Sequence, residues 1–193
     1  MCIRDSSWPE FPSLRKFSLL KTWITKPDMQ IIPTHLPNLV DLTLGVSGPT
    51  PTHTIQSIEH VAHQLERLHI LGSAVWKDTA LTLVGLKKLR ALVLSSTTCA
   101  FGPPGVLSLP PTLEFISVER NVNLTPLDAE WVNMLHCAMH DSQPPALRRV
   151  RIAGITQDDD QFRACLEGGC FVRPAGRVLE VDTSGMHQCL NLL

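Results

Sequence analysis

The feature that most limits how this chain can fold is a motif, Leu-x-x-Leu-x-Leu, that returns along almost its whole length. With conservative exchanges, its copies are Leu14-Phe17-Leu19, Leu39-Leu42-Leu44, Leu65-Leu68-Ile70, Leu89-Leu92-Leu94, Leu113-Ile116-Val118 and Leu147-Val150-Ile152. A degraded seventh follows at Val178-Val181-Thr183. The first five copies begin about 24–26 residues apart and the last two follow at about 31–34, periods typical of arrays built from one small unit. A four-residue echo stands upstream of several copies: Phe11-Pro12-Ser13-Leu14, Leu36-Pro37-Asn38-Leu39, Leu86-Lys87-Lys88-Leu89 and Pro144-Pro145-Ala146-Leu147. Leucine is common, so one copy would carry no weight. Successive near-equal intervals do.

The spacing has a physical reading. In x-Leu-x-Leu, alternate side chains of a short strand share a face, so Leu42 and Leu44 are expected to be buried together while Thr43 turns outward. Strands from successive copies would then stack side by side at about 4.8 Å, with the leucines forming a continuous ladder. The chain must return across the far side, and there helical periodicity is expected. Ile55, Ile58, Val61, Ala62 and Leu65 share one helical face, with Thr54 placed as N-cap. Leu127, Trp131, Met134, Leu135 and Ala138 repeat the pattern. Asp158, Asp159 and Asp160 precede Phe162, Cys165 and Leu166, where acids suit the positive end of a helix dipole. The longer late intervals thus read as longer helices.

These residues resemble the leucine-rich-repeat superfamily, in particular its ribonuclease-inhibitor-like and F-box-associated arrays. Phe11-Pro12-Ser13-Leu14-Arg15-Lys16 and Leu36-Pro37-Asn38-Leu39-Val40-Asp41-Leu42 look like the repeats of fungal F-box proteins. The resemblance covers about Phe11 to Gly185. It implies an α/β solenoid of about seven repeats, with parallel strands on the concave face and helices on the convex face. The family's asparagine after the strand is kept only as Asn121; Thr22, Ser47, Ser73, Thr97, Ile155 and Met186 occupy that slot elsewhere. Ile155 and Met186 lack the side-chain hydrogen bond to the loop backbone, which predicts less regular C-terminal turns. No F-box is visible in the sequence. A ubiquitin-ligase adaptor role is implied only if such a segment lies upstream.

Composition narrows the function classes. The 193 residues carry a formal net charge of −1, with 44% hydrophobic and 18% charged residues. Nucleic-acid binders need a concentrated basic surface to neutralise phosphates, and this balance offers none. It equally gives no reason to expect adsorption to a membrane. Aromatics are 5% and tyrosine is absent, so the core must be mainly aliphatic. No apolar run reaches the roughly 20 residues of a membrane span, and Met1 to Pro12 has no signal-peptide core. The expectation is an intracellular protein, cytoplasmic or nuclear. The opening Met1-Cys2-Ile3-Arg4-Asp5-Ser6 resembles adapter-derived sequence. Residues 1–10 therefore read as a non-native or disordered start, and 11–193 as one repeat domain taken from a longer protein. Cys2, Cys99, Cys137, Cys165, Cys170 and Cys189 show no compact disulfide framework, and mostly buried reduced thiols are expected. Asn123-Leu124-Thr125 matches a glycosylation acceptor but is followed by Pro126, in a chain with no secretion signal.

Function is expected on the outward-facing positions of the strands. Ser18, Thr43, His69, Val93, Ser117, Arg151 and Asp182 form a central column. Beside it run Lys16, Asp41, Arg67, Ala91, Phe115, Arg149 and Glu180. Arginine and aromatic residues are enriched at binding hot spots. Lys16, Asp41, Arg67, His69, Phe115, Arg149 and Arg151 are therefore the candidate partner-binding residues, with Arg148, Arg149 and Arg151 as a basic spot and Phe115 as an aromatic anchor. The partner expected is a protein of unstated identity; a spacer binding nothing is the competing reading. Catalysis ranks last: no P-loop, G-x-G-x-x-G or Gly-x-Ser-x-Gly elbow is present. His136 and His140 share a helical face, but Cys137 would point away from it. Cys165, Cys170, His187 and Cys189 lack the paired short spacings of a zinc site. No cofactor, metal or catalytic residue is expected.

Overall fold

In a computed structural model of the chain, the motif copies lie side by side as strands of one sheet. The structure describes residues 9–20, 32, 34–46, 64–72, 80–96, 106–120, 137–138, 141, 144–153 and 180–182. Nine strands occur among them: β1 (Lys16–Leu19), β2 (Asp41–Val46), β3 (Arg67–Gly72), β4 (Ala80–Thr82), β5 (Ala91–Ser96), β6 (Val106–Ser108), β7 (Phe115–Arg120), β8 (Arg149–Ala153) and β9 (Glu180–Asp182). Seven form a single sheet in the order β1-β2-β3-β5-β7-β8-β9. Every neighbouring pair in it is parallel.

The register follows the motif residue for residue. Phe17 opposes Leu42, Leu42 opposes Leu68, and Leu68 opposes Leu92. Leu92 then opposes Ile116, Ile116 opposes Val150, and Val150 opposes Val181 of the degraded copy. A one-residue slip would turn every leucine to the other face, so burial of one face pins this register.

That burial is nearly complete. Leu42, Leu44, Ile70, Leu92, Ile116 and Val150 are all 0% exposed, and Leu68, Leu94 and Val118 are within a percent of that. Each such side chain contributes about 1.5–3 kcal/mol relative to an exposed one, before chain entropy is subtracted. At the β1 edge the ladder is incomplete: Leu14, Phe17 and Leu19 are half-buried, and Phe11 and Leu20 are exposed.

The four-residue echo is a tight turn that closes before β1, β2, β5 and β8. Leu14, Leu39, Leu89 and Leu147 donate their amides to the carbonyls of Phe11, Leu36, Leu86 and Pro144. A fifth turn, absent from the echoes read in the sequence, joins Leu113 to Pro110. Proline stands second in four of the five, at Pro12, Pro37, Pro111 and Pro145. Its fixed φ suits that position, and its missing amide is not required there.

The return segments differ in part from the helices expected. Helical residues occur at Ile32, Thr34 and His35, where Leu36 donates to the Ile32 carbonyl, and at Cys137, Ala138 and Asp141. Ala138 is buried, as its place on an apolar helical face predicts, whereas Cys137 is exposed rather than a buried thiol. Between β3 and β5, and again between β5 and β7, the chain instead forms β4 and β6. These pair in parallel as a separate two-stranded sheet, extended by a Leu83 amide to Ser108 carbonyl bond. For β6 the physical reason lies in Pro110 and Pro111 just after it, which disfavour helical backbone at that end. Leu83, Leu107 and Leu109 are buried there. The residues expected to form helices over 55–63, 127–136 and 158–166 lie outside the described set, as do the slots at Thr22, Ser47, Ser73, Thr97, Asn121, Ile155 and Met186.

The architecture is therefore a parallel β-sheet with an apolar ladder on one face and short helical pieces, compatible with an α/β class. No helix among the described residues is long and apolar enough to cross a membrane.

Candidate interaction face

The face opposite the ladder is set by strand alternation. Lys16, Asp41, Arg67, Ala91, Phe115, Arg149 and Glu180 occupy one row of register partners. Ser18, Thr43, His69, Val93, Ser117, Arg151 and Asp182 occupy the next. All seven candidate residues thus fall on one face. Lys16, Arg67 and Arg149 are exposed, while Asp41, His69, Phe115 and Arg151 are half-buried.

Ser117 departs from expectation: it sits in the outward row yet is 0% exposed. Its register partners are Val93 and Arg151, and two larger neighbours about 4.8 Å away shade so small a side chain. Ser95, two residues beyond Val93, is also buried, and its Oγ lies 2.7 Å from His69 Nε2. Ser95 and Ser117 are thus covered in the middle of the face, and its exposed charges among the described residues are Lys16, Arg67 and Arg149.

Charges on this face alternate across the strands. Lys16 Nζ lies 3.7 Å from Asp41 Oδ2, and the register also sets Asp41 beside Arg67. At the other side, Arg149 and Arg151 have the acidic positions Glu180 and Asp182 as partners. The expected basic spot is thus one half of an alternating pattern. The Lys16–Asp41 pair, with its lysine exposed, is worth about 0–1 kcal/mol and pins register weakly.

A second arrangement runs along the rim where the strands begin. The carbonyls of Arg15, Val40, Glu66, Arg90 and Glu114 each accept two amides from the following copy. Val40 and Asp41 bind Arg15, Glu66 and Arg67 bind Val40, and the pattern continues to Arg148 and Arg149 on Glu114. The side chains at these positions alternate in charge from Glu66 onward through Arg90, Glu114 and Arg148, and Arg90 Nε stands 3.8 Å from Glu114 Oε1. Polar residues one step before the first motif leucine link neighbouring turns: Asn38 Nδ2 donates to the Pro12 carbonyl at 2.8 Å, and Thr112 Oγ1 to the Leu89 carbonyl at 2.9 Å. Sequence reading missed this rim, although aligning the copies on their leucines would have brought its columns together.

No group of three or more His, Cys, Asp or Glu side chains suited to a metal ion occurs among the described residues. His136, His140, Cys165, Cys170, His187 and Cys189 lie outside that set. No protein-family model, curated protein or solved structure shows significant similarity to the chain.

Proposed function

We propose that the chain is a leucine-rich-repeat solenoid of about seven repeats, and that it recognises a protein partner non-catalytically on the strand face opposite its apolar ladder. The observation that carries this reading is the unbroken parallel register from β1 to β9, which gathers residues spread over most of the sequence onto one surface. Six steps of about 4.8 Å make that surface roughly 30 Å long, the span of a standard protein interface. Side-chain chemistry favours its two sides, Lys16, Asp41, Arg67 and His69 on one and Phe115, Arg149 and Arg151 on the other, as the contact regions. Within an F-box protein the same face would select the substrate of a ubiquitin ligase, inside the cell.

The test is quantitative co-purification from cells with the wild-type chain and with an Arg67→Glu/Arg149→Glu variant that keeps its circular dichroism spectrum. Partners that are lost with the variant support recognition by this face. A set of bound proteins unchanged by the two reversals overturns it.

A further inference from the structure

We infer that the rim where the strands begin carries a separate binding groove for an extended acidic peptide segment. A cavity of about 530 Å³ opens there across the first four motif copies, within the size range of small-ligand and peptide sites. Its wall is built from equivalent positions in successive copies. Ser13, Asn38, Gln64 and Lys88 each stand one residue before the first motif leucine, and Arg15 and Glu66 each stand one after it. The groove is thus a product of the stacking itself, running across the strands and away from the outward face described above.

Its charges define the occupant. Arg15 and Lys88 are exposed and engage in no ion pair among the described residues, in contrast to Lys16 and Arg90 nearby. They stand three strand steps apart, about 14 Å at 4.8 Å per step. An extended chain advances about 3.1–3.4 Å per residue, so carboxylates about four or five residues apart meet both cations. Asn38, whose side-chain amide donates to the Pro12 carbonyl, lines the groove between them, and Gln64 offers hydrogen bonds to a passing backbone. Glu66 is the one acid in the wall and opposes such a ligand, which makes it a directional control.

Fluorescence anisotropy of fluorescein-labelled hexaglutamate, with hexaglutamine as the neutral counterpart, tests the inference on the full chain. Hexaglutamate alone should bind. Arg15→Glu/Lys88→Glu should weaken it about ten-fold or more, and Glu66→Gln should tighten it, as expected for charges about a Debye length or less from the ligand. Lys87→Glu/Arg90→Glu makes the same change in net charge just outside the groove and should have a much smaller effect. If the first pair unfolds the chain, Arg15→Gln/Lys88→Gln replaces it. Absence of hexaglutamate binding overturns the groove, as does equal loss with both charge-reversed pairs. Loss through Arg67→Glu/Arg149→Glu instead would assign the peptide to the outward face and overturn the groove alone.

Discussion

His69 Nε2 and Ser95 Oγ, 2.7 Å apart, join β3 to β5 diagonally across the outward face. The register partner of His69 is Val93, so the imidazole reaches two residues along the neighbouring strand to a hydroxyl that is only 6% exposed. A double-mutant cycle with His69→Leu and Ser95→Ala should give a coupling of about 1 kcal/mol in urea denaturation. Coupling indistinguishable from zero would make the contact incidental to stability.

The ladder predicts a sharp contrast between adjacent residues. Leu92 is 0% exposed on the apolar face, and Val93 is half-buried on the other. Leu92→Asp places an unpaired charge among leucines and should abolish cooperative folding, given total stabilities of about 5–15 kcal/mol. Val93→Asp should keep the fold with a cost of about 1 kcal/mol. Equal loss of the circular dichroism signal in both would mean that the two faces are wrongly assigned.

Asn38 ties the second turn to the first through its bond to the Pro12 carbonyl. The group is exposed, so Asn38→Ala should cost only about 0.5–1 kcal/mol in thermal unfolding. Asn38→Asp, which keeps the shape and removes the donor, should cost at least as much. A neutral Asn38→Asp would assign the effect to turn propensity rather than to the bond.

Lys87 occupies the turn position that proline holds in the four other turns. Comparison of the copies alone would make Lys87→Pro stabilising, by about 0.4–1 kcal/mol. The structure predicts the opposite, because the Lys87 amide donates to the Gly85 carbonyl at 3.0 Å and proline would delete that donor. A lowered Tm is expected; a raised one would show that the Gly85 bond contributes nothing.

The ladder was legible in the sequence because its signal is redundant. Leu42, Leu68, Leu92, Ile116 and Val150 share one property, apolar bulk, at one spacing, and the resulting register agrees down to Val181. The rim was not legible for the opposite reason. Ser13, Asn38, Gln64, Lys88 and Thr112 occupy equivalent places with different chemistries, so no residue type recurs for the eye to follow. β4 and β6 are three residues each, too short for alternation to register against a helical expectation. Burial of Ser117 depends on the size of Val93 and Arg151, residues 24 and 34 positions away in the chain, and alternation within one strand carries no trace of it.

The paired amides on each rim carbonyl have a consequence for how such a chain changes length. Val40 receives Glu66 and Arg67 through the same two bonds by which Glu66 receives Arg90 and Ala91. Removing residues 66–89 would therefore present Val40 with Arg90 and Ala91, and bring Leu42 against Leu92, without leaving any donor in that ladder unmatched. The same removal deletes β4 and leaves β6 without its pairing partner, so the main-chain cost falls on the small sheet and not on the rim. In the large sheet the change falls on the outward-facing side chains, whose number and order across the strands are altered while the apolar ladder closes up behind them.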